Sequence, residues 1–190
     1  MNRPVFGLVA AFVMPMLSLT LVGAPARGAM SEEARSAELY GRLKMIFGKS
    51  LGQKVEGKEP GFIGDYFTPP KQFRQFTKYS YSVTPLTHRI CGILAEMPNS
   101  SIEEYYIVNT AIEKKFKCKL DGTPGSARVS ASGTSKDGRT RAIFVKFDPK
   151  SKSLEISLDD IEGIQLQLRE KEKFDRNHAN KEAEKSLDAL

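Results

Sequence analysis

Apolar and polar residues alternate along residues 76–83, where Tyr79, Tyr81 and Val83 share one parity. Tyrosine and valine at every second position predict a half-buried strand, and Pro85, with no N–H to donate, ends it. Residues 89–95 form a short, nearly continuous apolar run around Ile90, Cys91, Ile93 and Leu94, which predicts a buried strand. Pro98 and Asn99 then break the chain. Ser100 or Ser101 caps a helix whose first turn holds Glu103 and Glu104, with Ile102, Tyr105, Val108, Ile112 and Phe116 along one face.

The flanking regions extend this strand–strand–helix block. Residues 31–47 read as a helix that starts at Ser31, sets Leu39, Leu43, Ile46 and Phe47 on an apolar face, and meets Gly48 at its C-cap. Residues 51–70 are rich in glycine and proline and predict an irregular stretch. Beyond Leu120 the pattern turns to period two, weakly over 127–132 and strongly over 140–147, where Ile143, Val145 and Phe147 share a parity. Alternation returns over 154–158 and again over 164–168. Lys136-Asp137-Gly138 marks a hairpin turn, and 159–163 a bend. The whole predicts an α+β domain over residues 29–172. Its N-terminal helix is followed by a ββαβββ unit, with the helix packed on one face of a mainly antiparallel sheet. Residues 173–190 read as a charged C-terminal tail or helix carrying a thin stripe of Ala179, Ala183, Leu187 and Leu190.

Residues 1–28 change the setting. Arg3 precedes an apolar stretch from Val5 to Val22, and small residues follow, so the segment has the parts of a secretory signal peptide cleaved near Ala26 or Gly28. A periplasmic or secreted protein follows, with no stable membrane span once the signal is removed. Export also changes the reading of two cysteines, since disulfides persist in oxidising compartments. Cys91 lies early in its strand and Cys118 at the end of the helix that returns over it. A bridge between them would add about 3–4 kcal/mol by closing the loop. The chain has 29 basic and 23 acidic residues, a net charge of +6, and the signal takes one or two of the basic ones. Such mild basicity, without a clustered basic and aromatic stripe, points away from nucleic acid.

Catalytic signatures are sparse. The glycines of 51–70 do not form a phosphate-binding loop, and no serine-nucleophile elbow occurs. His88 and His178 lack neighbours at metal-ligand spacing, and His88 stands three residues from Cys91, on the opposite face of a strand. Asp159, Asp160 and Glu162 are the acidic cluster that a glycoside hydrolase would need to converge. No cofactor and no metal are expected. The remaining feature is the aromatic group Phe62, Tyr66 and Phe67 inside the glycine-rich stretch, a recognition surface or a plug for one end of the core. The leading expectation is a non-catalytic envelope protein that binds another protein or peptide. A small-ligand carrier with a pocket between helix and sheet stands second, and a hydrolase of envelope polymer third.

Overall fold

The computed structural model describes residues 30–122 and 127–188. The expected signal peptide, with its cleavage near Ala26 or Gly28, lies outside the described residues. The chain is an α+β fold built on a six-stranded antiparallel sheet. Helix α1 (Glu32–Arg42) is followed by a small hairpin, β1 (Met45–Ile46) and β2 (Lys49–Ser50). Next come β3 (Gly64–Tyr66), β4 (Lys78–Val83), β5 (Ile90–Met97) and α2 (Ile102–Phe116). The second half supplies β6 (Arg128–Thr134), β7 (Thr140–Asp148), β8 (Ser153–Asp160) and α3 (Ile161–Asp188).

The sheet order is β3-β4-β5-β8-β7-β6. It consists of two three-stranded meanders joined where β5 pairs with β8. One face is the core. Tyr81, Ile93, Leu158, Ile143 and Ala131 lie opposite one another in a row across five strands, and Tyr79, Ala95, Ile156 and Val145 make the next. All of these are buried, and α2 covers them with Tyr105, Val108, Ile112 and Phe116. The matching row on the other face reads Tyr66, Ser80, Leu94, Ser157, Phe144, Ser130, three serines alternating with larger side chains, a mixture that tolerates water.

Helix α2 begins where expected: Ser101 accepts a hydrogen bond from the Glu104 N–H at 3.2 Å, and Lys117 ends it in a left-handed conformation. Three assignments differ from the sequence reading. The first helix stops at Arg42, and Phe47-Gly48 is the turn of a hairpin instead of a helix end. Both turn residues have positive φ, 52° and 82°, as a two-residue hairpin with the twist of its strands requires. The glycine-rich stretch contains an edge strand, β3. Most consequentially, residues 164–168 are not a strand but the second turn of α3, which runs unbroken through the boundary placed between residues 172 and 173.

The reason lies in what α3 buries. Gly163, Gln167, Glu170 and Phe174, spaced by four, three and four, form its contact face. Gln167 donates to the Val83 carbonyl at 3.0 Å. The Glu170 carboxylate, 8 % exposed, accepts from the N–H groups of Leu86 and Thr87 and from the Thr87 hydroxyl at 2.7, 3.1 and 3.0 Å. Phe174 fills the space over Gly61. Leu168, whose alternation with Ile164 and Leu166 suggests a strand, is 65 % exposed.

Candidate functional site

A groove opens where α2, the β1–β2 hairpin and residues 70–73 meet. The Phe47-Gly48 turn sets its floor. A Cβ on Gly48 would lie 2.6 Å from Pro70 Cδ, so only glycine lets the hairpin close against the loop that forms the far wall. Phe47 holds a left-handed backbone that costs a non-glycine residue about 1–2 kcal/mol. Its ring is held in turn by Tyr79 at 5.2 Å, edge-on, and by Phe73 and Phe76 at 6.1 and 6.4 Å between centroids. Aromatic pairs of this kind contribute about 0.5–1.5 kcal/mol each, enough to offset the backbone strain.

Ile46, Phe47, Gly48, Phe73, Ala111 and Ile112 give the groove an apolar lining with a volume of about 500 Å³. Lys71 stands on the loop wall and Lys115 on the helix wall. No carboxylate is among the lining residues. Beyond the groove lining, Arg74 pairs through two nitrogens with both oxygens of Glu104, tying the loop to the first turn of α2. Two other clefts flank α1, but their walls are polar: Ser31, Ser36, Thr134 and Lys136 in one, Arg35, Glu38, Arg42 and Asp121 in the other.

The expected recognition aromatics divide. Phe62 and Phe67 are half-buried against the core, Phe62 beneath the Lys58 ammonium at 4.3 Å and Phe67 beneath Lys49 at 5.4 Å. Tyr66, 74 % exposed on the edge strand β3, points the other way. The free edges of the sheet are small. β3 has three residues, and the Tyr66 N–H on its outer side is taken by the Asp65 side chain at 2.8 Å. On β6, Ser130 pairs with Asp121 and the Thr134 N–H with Ser36.

The expected bridge between Cys91 and Cys118 is not formed, and both are free thiols. An irregularity between Ser82 and Val83 shifts the register of β4 against β5. It turns Cys91 toward the serine face, where its sulfur lies 3.5 Å from the Ser82 hydroxyl and its Cβ faces Gly163 of α3. Cys118 packs instead with the core on the α2 side. Burial raises both thiol pKa values, opposite to what a nucleophilic cysteine requires.

The acidic cluster disperses into separate structural roles. Asp160 accepts from the Gly163 N–H at 3.2 Å and so caps α3. Glu162 accepts from the Thr140 N–H at 2.8 Å, and Asp159 from the Ser157 hydroxyl at 3.2 Å. His88 sits in the β4–β5 turn with a φ of 51°, its Nε2 buried without a partner. Among the described residues, no three His, Cys, Asp or Glu side chains gather as a metal site, and no helix is long and apolar enough to cross a membrane. The space between α2 and the sheet is filled by side chains, so the apolar cavity lies beside the helix. Sequence reasoning missed this groove because its parts come from three distant segments. The Phe47-Gly48 pair was its one local signal. Compared with family models, curated proteins and solved structures, the chain finds no match.

Proposed function

We propose that this chain is an exported, non-catalytic protein of the cell envelope that holds an apolar segment of a partner protein or peptide in the groove beside α2. The groove itself carries the reading: an open, aromatic-floored trough walled by the 70–73 loop on one side and by Ala111, Ile112 and Lys115 of α2 on the other. An open trough leaves much of a small molecule in water, whereas carrier pockets bury most of their ligand. A partner's side chains, by contrast, need cover on one side only, because the partner's own surface supplies the other. Dispersal of the acidic residues and the raised thiol pKa values also favour binding over catalysis. The aromatic loop supports the domain from within on this reading, with Tyr66 as a separate exposed residue.

Ala111→Phe tests the proposal, because it fills the groove from a half-buried helix position without touching the core face. Wild-type protein is expected to retain a stoichiometric partner from envelope extract, and the variant to lose it while keeping the same thermal midpoint. Retention by both proteins would move the binding surface elsewhere. A small molecule carried through purification by wild type alone would favour the carrier instead.

A further inference from the structure

The charges around the groove say what its occupant carries. Lys71 on the loop wall and Lys115 on the helix wall both line the apolar groove, and no carboxylate does. Lys114 precedes Lys115 in the last turn of α2, and the exposed Lys44 stands just before the hairpin. The nearest acid at the other end, Glu104, is already paired with Arg74. An apolar trough between two lysines attracts a segment whose apolar anchors are bordered by carboxylates, and repels one bordered by cations.

Dimensions set the length of that segment. Ala111 and Lys115 line the groove, and Ile107, 45 % exposed, carries the same side of α2 one turn beyond the lining, so that all three offer themselves to one bound segment. At 1.5 Å per residue, their span is about 12 Å. An extended chain covers that distance with about four residues. Both lysines are exposed residues, and a lysine beside an apolar groove lends its stem to the wall while its ammonium stays in water. We propose, on the basis that the groove is the binding site, that its partner is an acidic peptide segment: two apolar anchors within about four residues, with Asp or Glu on both sides.

The chain has no tryptophan, so a peptide with a tryptophan anchor reports its own burial by the shift of its emission. Three eight-residue peptides with the same Trp and Leu anchors, flanked by Glu, Gln or Lys, are titrated into purified wild-type protein and into Lys71→Glu/Lys115→Glu. Wild type is expected to bind the Glu peptide about tenfold tighter than the Gln peptide, in proportion to two rim charge pairs, and the Lys peptide weakest. The charge-reversed protein is expected to invert that order, which damage to the fold would not do. Equal binding of all three peptides, lost with Ala111→Phe, would overturn the acidic partner and leave the groove as the site. Binding that Ala111→Phe leaves untouched, or none by any peptide, would overturn both.

Discussion

The two halves of the sheet share one order of elements, three antiparallel strands and then a helix, yet their helices behave oppositely. After β5, Pro98, Asn99, Ser100 and Ser101 turn the chain back, and α2 lies on the core face. After β8 there is no connecting residue at all, and α3 leaves directly over the end of the serine face beside Cys91. α2 is held by a row of buried apolar side chains, α3 by hydrogen bonds from Gln167 and to Glu170 with Phe174 alone packing over Gly61. Connection length decides which face a helix reaches, and that face decides which side chains it needs.

Removing one buried side chain from α2 separates the two modes most sharply. Ile112 is 2 % exposed, and Ile112→Ala is expected to cost about 2–5 kcal/mol through lost transfer energy and a cavity. Leu168→Ala on α3, at a position 65 % exposed, is expected to stay within about 0.5 kcal/mol. Urea denaturation of the two variants measures both. Comparable losses would mean that Leu168 is buried in solution and that the contact face of α3 is wider than Gly163, Gln167, Glu170 and Phe174.

Glu170 gives the next largest effect. Glu170→Ala strands the Leu86 and Thr87 N–H groups, which costs about 1–3 kcal/mol when the donors stay buried. Amide exchange is expected to speed up at Leu86, Thr87 and along α3 while α2 stays protected, because only the α3 attachment opens. Glu170→Gln keeps an acceptor oxygen and is expected to fall between. Uniform acceleration across both helices would show that the halves unfold as one unit.

The same contrast explains what the residues made legible. Burial by apolar period is written in the sequence, so β4, β5, α2, β7 and β8 are readable from Tyr79, Ile93, Val108, Ile143 and Ile156 alone. α3 escapes because period-two Ile164, Leu166 and Leu168 lie on a helix whose contact face is Gly, Gln, Glu and Phe. No scale of hydrophobicity marks a glutamate as buried; its partners, 83 and 84 residues away, do. The disulfide expectation fails for a related reason. Strand parity places Cys91 on the core face, and the bulge at Cys91 itself, skipped between the Ser82–Gly92 and Val83–Ile90 pairs, reverses that without any signal in the sequence. The candidate site is the least legible part, since the groove exists only after the hairpin, the loop and α2 are brought together.

The smallest expected effect lies under the start of α3, at Asp159. Burial beneath the helix raises its pKa, and Glu155 adds to the rise, while the Ser157 hydroxyl and Arg128 oppose it. A carboxyl that is harder to ionise when folded binds its proton more readily in the native state than in the unfolded chain. Stability from this group is therefore full below the ordinary aspartate value of 3.8 and is lost as pH rises through the higher folded value. Asp159→Asn removes the ionisation and retains an oxygen for Ser157. Its thermal midpoint is expected to exceed that of wild type at neutral pH, with the difference vanishing as the buffer is taken below the ordinary carboxylate range. Lower stability of the variant at neutral pH would show that attraction to Arg128 outweighs burial. The serine face would then tolerate a charge under α3, just as the turn beyond it tolerates Glu170.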